Sequence, residues 1–278
     1  VMGRNPGRLR ETFDVDLPLD WPTDFADGFF TQRLKAFVLE TADGVPVPYQ
    51  RLAFVPRMNE RSRFARFCFL SDGEFTRYTV AARVALPPCG FTSLRVRPSA
   101  TPVRAAGSLR TGPASAANRH VAVAIASNGA LTITDKATGQ EYTDLLTFED
   151  RSEVGDGWFH GRSLNDEQRL STACAAQVAV VHDGPEVVAF RVTVTLSVPA
   201  RYDQAAERPG IERVPLEISS LVSLRRDART VEIETRVDNT AEDHRLRLLL
   251  PTDCAGAATY VAHQPFDFVE RSIALDAR

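Results

Sequence analysis

The sequence contains little that would build a metal or redox site. Its four cysteines are far apart and form no C-x-x-C pair, whereas a disulfide-stabilised scaffold would carry them more densely. We therefore expect reduced thiols, mostly buried as small apolar residues: Cys68, Cys89, Cys174 and Cys254. The histidines are scattered too, and none shows the H-x-x-x-H spacing of a local zinc site: His120, His160, His182, His244 and His263.

Charge and hydropathy disfavour two classes of partner. The formal net charge is −3, so no basic face is indicated and nucleic acid is not an expected partner. No apolar run reaches the length of about eighteen residues that a membrane span needs, and no signal peptide is visible. The chain begins at Val1 instead of Met, so we expect it to be a piece excised from a longer protein.

Apolar and polar residues alternate with a period of two in much of the chain, which is typical of antiparallel strands with one solvated face. Residues 187–198 place one apolar row on a single face: Val188, Phe190, Val192, Val194, Leu196 and Val198. The stretches 230–239 and 244–251 alternate in the same way, with these residues inward: Val231, Ile233, Thr235, Val237, Leu246, Leu248 and Leu250. Shorter strand-like pieces lie at 13–17, 35–40, 79–86, 121–126 and 131–135. The predicted fold class is all-β.

Turn signals separate the predicted strands. Five segments have the Asp-Gly, Asn-Gly or related chemistry of hairpin turns: 42–44, 71–73, 127–129, 138–139 and 182–184. No long capped amphipathic helix is evident. Residues 164–180 fit either a helix followed by a strand or an irregular segment that runs into a strand.

A change in composition divides the chain into two domains. Residues 96–117 are rich in Pro, Ser, Ala and Gly and show no strand alternation, which indicates a linker. We predict a small β-sandwich over 1–100, a linker over 101–117 and a larger antiparallel assembly over 118–278. The chain ends inside strand-like sequence, so we expect the second domain to be incomplete.

The segment FEDRSEVGDGWFHGRS, residues 148–163, is the strongest candidate for a binding loop. Its glycines favour a loop, and that loop would present acids beside an aromatic platform and an imidazole: Glu149, Asp150, Glu153, Asp156, Trp158 and His160. Carboxylates accept hydrogen bonds from sugar hydroxyls, and an indole packs on the apolar sugar face. A pair of acids also fits a glycosidase. The alternative is a solvated acidic loop with a Trp that plugs the core.

A second distinctive segment is VDNTAEDHRLRLLLPTD, residues 237–253. Asp238 and Asn239 would end one strand, and Asp243 and His244 would begin the next. His244 beside Asp243 fits either an oriented base or a structural histidine, and no Ser or Cys nucleophile context favours the first. The chain contains no G-x-S-x-G, phosphate loop or dinucleotide-binding glycine pattern.

Several segments in fixed order resemble the C-terminal β-region of glycoside hydrolase family 38, the retaining, zinc-dependent α-mannosidases, and most of all its bacterial cytoplasmic branch. The resemblance lies in SNGALTITDKATGQEYTDLLTFEDRSEVGDGWFH, VEIETRVDNTAEDHRLRLLLPTD, NPGRLRETFDVDLP, DGVPVPYQ and LPPCGFTSLRV. It implies a small β-sandwich followed by part of a galactose-mutarotase-like supersandwich. In that family the zinc ligands and nucleophilic aspartate lie on a barrel that this chain lacks, and no H-x-D motif occurs here.

The resemblance also implies a role for the candidate loop. In the family one loop of the β-region returns to the barrel, with an aromatic that lines the sugar pocket in a pattern close to G-D-x-Y-x-Y/F. Here the pattern reads GDGWFH, so Trp158 takes the first aromatic position and His160 the second. Asp156, Trp158 and His160 are therefore the expected substrate-binding residues, with no catalytic or metal-binding residue in this chain. Trp stacks and donates a hydrogen bond but cannot accept one as Tyr does.

Three functional hypotheses follow. The first is the accessory β-region of an α-mannosidase-like enzyme, inactive alone, with no cofactor of its own and zinc in the missing catalytic domain. Its partners would be the barrel and helical domain of the same polypeptide and an α-mannoside or related sugar, in the bacterial cytoplasm; self-association is left open. The second is a non-catalytic carbohydrate-binding module. The third is a mutarotase-like enzyme with a Glu beside one of His160, His244 and His263.

Overall fold

The computed structural model describes residues 9–18, 36–58, 75–87, 89–99, 105–163 and 165–274. In these ranges regular structure is almost entirely β-strand, and the one helical element is the short 3₁₀ turn Ser171–Ala173. The predicted all-β class is confirmed. No helix in the same ranges is both long and apolar enough to cross a bilayer.

Six strands near the N-terminus form a small sandwich of two three-stranded sheets. The strands are β1 Leu9–Pro18, β2 Ala36–Thr41, β3 Pro46–Val47, β4 Tyr49–Met58, β5 Phe75–Ala85 and β6 Leu94–Ser99. The sheet orders are β1-β5-β4 and β3-β2-β6, and all neighbours are antiparallel. The alternation at 13–17, 35–40 and 79–86 therefore identified β1, β2 and β5 correctly.

Aromatic side chains fill the space between these two sheets. Phe37 on β2 is 1% exposed, and its ring stacks on that of Tyr49 from the facing sheet with 4.7 Å between centroids. Tyr78 meets Phe37 edge-on at 5.2 Å. The buried Tyr49 hydroxyl donates to the Phe37 carbonyl at 2.7 Å, so its polar atom is satisfied inside an apolar core.

The remaining strands build a larger antiparallel body. They are β7 Arg110–Gly112, β8 Ser115–Ala117, β9 Val121–Ile125, β10 Leu131–Asp135, β11 Glu141–Leu145, β12 Thr147–Ser152, β13 Arg169–Leu170, β14 Ala176–His182, β15 Val187–Pro199, β16 Tyr202–Asp203, β17 Arg208–Pro209, β18 Arg213–Arg225, β19 Val231–Asp238, β20 His244–Leu249, β21 Thr259–Gln264 and β22 Asp267–Ser272. The main sheets are β11-β10-β9-β8-β7, β14-β15-β18-β19 and β13-β12-β20. Two separate hairpins, β16-β17 and β21-β22, complete the body.

The five-stranded and four-stranded sheets share one hydrophobic core. The inward row predicted for β15 is confirmed, since none of its members is more than 4% exposed: Val188, Phe190, Val192, Val194, Leu196 and Val198. Each such side chain contributes about 1.5–3 kcal/mol by leaving water. The period of two is therefore the main reason this segment forms the central strand.

Strand β18, the long partner of β15, was missed from the sequence. Its inward row includes Leu216 and Ile218, but Ser220 interrupts the apolar pattern. The structure resolves this conflict because the Ser220 hydroxyl lies 2.9 Å from that of Thr235 on β19. A buried hydroxyl is tolerated where a partner strand supplies a hydrogen bond, and single-sequence periodicity does not show that partner.

Two expectations about irregular segments differ from the structure. Residues 110–117, predicted as part of a linker, form β7 and β8 at the edge of the five-stranded sheet. These strands are short and rich in Gly, Ser and Ala, so their sequence carries no alternation. The domain boundaries themselves stay a prediction.

In the described part of 164–180, the irregular alternative is correct: a 3₁₀ turn leads into β14.

The burial expected at several positions was wrong. Leu248 and Leu250, predicted to face a core, are 46% and 53% exposed. Strand β20 pairs with β12, and no second layer of described residues covers the side of Leu248. The cysteines are not buried either: Cys89 and Cys254 are exposed and Cys174 is half-buried, while Cys68 lies outside the described residues.

The predicted turns at 42–44, 127–129, 138–139 and 182–184 all join adjacent antiparallel strands. Gly129 shows why one of them requires glycine. Its φ is +87°, and an added Cβ would lie 3.0–3.1 Å from the side chains of Val194, Ala176 and Val192. The turn therefore packs directly on the core sheet. The fifth predicted turn, 71–73, lies outside the described residues.

Candidate functional site

The candidate segment begins as a buried strand and becomes a loop only at Glu153. Residues 147–152 form β12, which pairs with β13 on one side and β20 on the other. The prediction that the whole of 148–163 lies in a loop is therefore wrong at its start. Glu149 and Asp150, expected on the loop, are 2% and 0% exposed. They lie beneath the loop and not on its surface.

Backbone contacts close the loop over residues 153–161. The Val154 N–H donates to the Gly161 carbonyl at 3.1 Å, and the Asp156 N–H donates to the Phe159 carbonyl at 3.1 Å. An added Cβ on Gly155 would overlap the Phe159 carbonyl oxygen, and one on Gly161 would lie 2.5 Å from the Gly155 nitrogen. Both glycines are needed because the two chain segments touch at the base of the loop.

Asp156 shapes the tip of the loop. Its Oδ1 accepts hydrogen bonds of 2.8 Å from the backbone N–H groups of Trp158 and Phe159. These two bonds favour the carboxylate and lower the pKa of Asp156 from its usual value. This predicted binding residue thus has an observed role in forming the turn, while its contact with substrate stays a prediction.

Two aromatic side chains project from this tip. Trp158 is 89% exposed and Phe159 is 76% exposed, although the backbone that carries them is held by hydrogen bonds. The alternative in which Trp158 plugs a core is therefore wrong. A rigid turn that presents an indole to solvent is suited to stacking against the apolar face of a sugar ring.

Glu153 holds the base of the loop and orients His160. Its Oε1 accepts from the N–H groups of Gly155 at 3.0 Å and Gly161 at 2.6 Å, and its Oε2 contacts His160 Nδ1. Partial burial acts to raise the pKa of Glu153, but the bonds from Gly161, His160 and Gly155 outweigh it, and the net pKa is lowered. His160 is thus a partner of Glu153 at the loop base.

The two buried acids beneath the loop are held by hydrogen bonds and ion pairs. Glu149 accepts from Gln168 Nε2 at 2.7 Å, Arg151 Nε at 2.8 Å and Arg247 Nε at 2.7 Å. Burial acts to raise the pKa of Glu149, but the hydrogen bonds from Arg151 and Arg247 outweigh it and the pKa is lowered. This buried carboxylate links β12 to β20 and to Gln168 just before β13, which is a structural role.

Asp150 pairs with His244, which favours the structural interpretation of that histidine. His244 Nδ1 lies 2.6 Å from Asp150 Oδ1, and its Nε2 lies 2.8 Å from Asn239 Oδ1. The neighbouring Asp243 instead contacts the Tyr202 N–H at 3.4 Å. Strand β20 begins at His244 and β19 ends at Asp238, as expected. The ring links β20 to β12, and both of its nitrogens have hydrogen-bond partners.

A cluster of arginines, not anticipated from the sequence, lines a cavity of about 160 Å³ beside the loop. Its walls are Arg151, Ser152, His160, Arg162, Ser163, Asp166, Arg245 and Arg247. The sequence signal for this cluster was the R-L-R alternation at 245–247, which places the side chains of Arg245 and Arg247 on one face of β20. It was overlooked because the pairing of β12 with β20, which brings Arg151 beside them, is not local, and neither is the fold of the segment that carries Arg162.

The described residues offer no site for a resident metal ion: no three His, Cys, Asp or Glu side chains among them stand close enough together. His263 does not join the other histidines and packs against Phe268 at 5.0 Å. The resemblance places the zinc in a catalytic domain outside this chain, and that placement stays a prediction.

Sequence comparison identifies the family. A profile described as "Glycosyl hydrolases family 38 C-terminal domain" matches residues 116–276, which is more than half of the chain. The chain belongs to glycosyl hydrolase family 38. The match includes the loop, the buried acids and the arginine cluster of this family 38 chain.

Relatives of this family 38 chain are much longer than it is. The chain is 28% identical over 168 residues to the "Putative mannosylglycerate hydrolase" of Halalkalibacterium halodurans, and that match spans 55% of this chain and 19% of the relative. It is 22% identical to a family 38 protein from Enterococcus faecalis, with a TM-score of 0.78 over 97% of this chain and 34% of the other.

A second solved structure, an α-mannosidase from Enterococcus faecalis V583, gives a TM-score of 0.75 at 19% identity, over 99% of this chain and 33% of that one. At these identities the likeness establishes the fold. The family 38 chain thus spans about a third of each solved structure and about a fifth of the curated relative.

Proposed function

We propose that this chain is the accessory β-region of a retaining α-mannosidase-like glycoside hydrolase, and that its loop 153–161 lines the sugar pocket. The observation that carries the proposal is the loop tip, where Trp158 and Phe159 are exposed on a backbone fixed by Asp156. An ordered loop that holds large apolar rings in water is costly unless something covers them in the working protein. A sugar ring bound between this loop and a second domain would cover both aromatic rings.

The catalytic groups belong, in this proposal, to a barrel and a helical domain elsewhere in the same polypeptide. Two features support such a partner: the family 38 relatives are several times longer, and apolar side chains are exposed on β20 and the β21-β22 hairpin. Phe266 is fully exposed and Phe268 is 69% exposed. The zinc and the nucleophile would reside in the barrel, and the chain alone would be inactive. A cytoplasmic location and self-association stay predictions.

The substrate in this proposal is an α-mannoside or a related sugar. The relative named for mannosylglycerate and the solved α-mannosidase both support a mannose unit. Trp158 would stack on the sugar and donate from its indole N–H, and His160 would stand behind it on Glu153. Asp156 would hold the backbone of Trp158 and Phe159 in the turn that presents both rings to the sugar.

The test is Trp158→Ala in the full-length protein that contains this chain, with kcat/KM measured on an α-mannoside. Loss of a stacking contact would lower kcat/KM by about tenfold, which corresponds to about 1.4 kcal/mol. The matched control is Phe91→Ala, an aromatic residue near the start of β6 that is 75% exposed, and it should leave kcat/KM unchanged. Equal values for wild type and Trp158→Ala would contradict the pocket role.

The alternative is a carbohydrate-binding module without a catalytic partner, and the same exposed rings support it. The two proposals differ in what lies upstream of Val1. A reading frame that encodes a barrel with zinc-ligand motifs favours the enzyme, and a start codon near Val1 favours the module. Binding of mannose by the 278-residue chain alone, abolished by Trp158→Ala, would also favour the module.

A further inference from the structure

Two arginines stand directly opposite each other at the base of the candidate loop. In the antiparallel ladder between β12 and β20, Arg151 pairs in register with Arg245, and Glu149 pairs with Arg247. Residues in register share a face of the sheet, so three guanidinium groups and one carboxylate project from the same side. Like charges directly opposite each other on neighbouring strands repel and destabilise the pairing.

The carboxylates nearby do not neutralise this cluster. Glu149 is shared between Arg151 and Arg247, and Asp166 approaches Arg151 at 3.8 Å. Arg162 and Arg245 have no ion-pair partner among the residues that the structure describes. Four guanidinium groups against two carboxylates leave two positive charges unmatched. A third carboxylate nearby, Glu153, contacts His160 and the backbone at the loop base and forms no ion pair with these four arginines.

The arginines enclose a space that fits a small ligand. The cavity of about 160 Å³ has room for several waters or one compact oxyanion, and Ser152 and Ser163 are among its lining residues. Ser163 is positioned by the Tyr202 hydroxyl at 2.8 Å, and the Ser152 backbone is held by Asp166 at 2.9 Å. Guanidinium groups bind carboxylate and phosphate oxygens through paired hydrogen bonds.

We propose that the cavity formed by Arg151, Arg162, Arg245 and Arg247 binds the oxyanion of a small ligand, a carboxylate or a phosphate. The anion lies between the facing guanidinium groups of Arg151 and Arg245 and offsets their repulsion. Arg162, carried by the C-terminal end of the loop, closes the cavity from above. Binding therefore also fixes the end of the loop that carries Trp158.

The experiment is calorimetric titration of the protein with inorganic phosphate, D-glycerate and uncharged methyl α-mannoside, at one ionic strength set with sodium chloride. Phosphate and glycerate should bind with a stoichiometry of one, and Arg245→Gln should weaken both by about tenfold or more, because a charged hydrogen bond is lost. The control Arg236→Gln, on the exposed outer strand β19, should bind like wild type.

A second measurement separates lost binding from lost folding. Without ligand and at low salt, Arg245→Gln should melt at the same temperature as wild type or higher, because the substitution removes a repulsion. With phosphate the melting temperature should rise more for the wild type than for the variant. The proposal is overturned if neither anion binds better than methyl α-mannoside, or if both bind the variant as tightly as wild type.

A third titrant identifies the source of the anion. An α-mannoside with a carboxylate-bearing aglycone should bind at least about tenfold tighter than glycerate if the oxyanion belongs to a sugar substrate. Only this arm rests on the proposed glycosidase function. If the mannoside and glycerate bind with equal affinity, the cavity binds a free oxyanion. The anion site would then stand, and its connection to a sugar substrate would be rejected.

Discussion

Gln50 and Val187 are 137 residues apart in the sequence and exchange two hydrogen bonds in the fold. Gln50 Nε2 donates to the Val187 carbonyl at 2.8 Å, and the Val187 N–H donates to Gln50 Oε1 at 2.9 Å. The same oxygen accepts from the Glu186 N–H at 3.0 Å. One side-chain amide thus acts as a strand partner and ties the small sandwich to the start of the central strand.

We expect Gln50→Leu to lower the free energy of unfolding by about 2 kcal/mol or more, because it leaves buried backbone groups of Val187 and Glu186 unsatisfied. Urea unfolding followed by circular dichroism of the β-strands measures the change. Gln140→Leu, on an exposed turn, is the control and should change stability by less than about 0.5 kcal/mol. Equal stabilities of the two variants would show that the amide does not hold the bodies together.

Glu149→Gln should destabilise the fold through the arginines that it leaves without a counter-charge. Removing one member of a fully buried ion pair costs about 3–5 kcal/mol. Arg151 and Arg247 are 42% and 44% exposed, so solvent screens part of the loss and about 2 kcal/mol is expected. Glu234→Gln, whose partner Arg236 is 84% exposed, is the matched control. A loss of stability as small as that of the control would show that the charge of Glu149 does not stabilise the fold.

The pH dependence of stability should carry the signature of the same carboxylate. The pKa of Glu149 is lowered from 4.5 in the folded state, so the unfolded state binds protons first as the pH falls. The stabilisation is complete above about pH 4.5 and is lost as the pH falls through the lowered folded pKa. In urea titrations below about pH 5, Glu149→Gln should lose less stability than wild type. If the stability of the variant and of the wild type falls equally with pH, Glu149 is not the group responsible for the loss.

Asp156→Ala should loosen the loop tip without unfolding the protein. The Trp158 and Phe159 N–H groups would lose their shared acceptor, and their hydrogen exchange should speed up several-fold. The global unfolding midpoint should stay unchanged because the loop is exposed. Asp156→Asn keeps Oδ1 and should restore slow exchange. Fast exchange in both variants would indicate that the charge, and not the acceptor geometry, forms the turn.

The proposed division of labour predicts no hydrolysis of an aryl α-mannoside by these 278 residues alone, with or without added zinc. The reason is that their described part holds no cluster of metal ligands, and its buried acids are occupied by arginine and histidine. Release of the aryl alcohol is followed by absorbance. Turnover that survives repurification would place catalytic groups in this chain, and Glu153 and Asp156 would be the first to substitute.

Much of the fold was predictable where burial is decided along the chain itself. The period of two in β15 identified its inward face, and short Asp-Gly and Asn-Gly segments located the turns. The loop 153–161 was predictable from its glycines, and Trp158 was identified as its aromatic residue. Each of these features depends on neighbours within a few residues, and local sequence records them directly.

The rest was decided by pairing between distant segments. Only the register of β12 with β20 shows that Glu149 is a buried counter-charge and that Arg151 faces Arg245. Only the contact with Thr235 explains a serine in the core row of β18. The sequence by itself determined an all-β chain with one glycine-bounded aromatic loop. The tertiary structure decided which charges are neutralised, because a charge's partner is set by position in space and not by position in the chain.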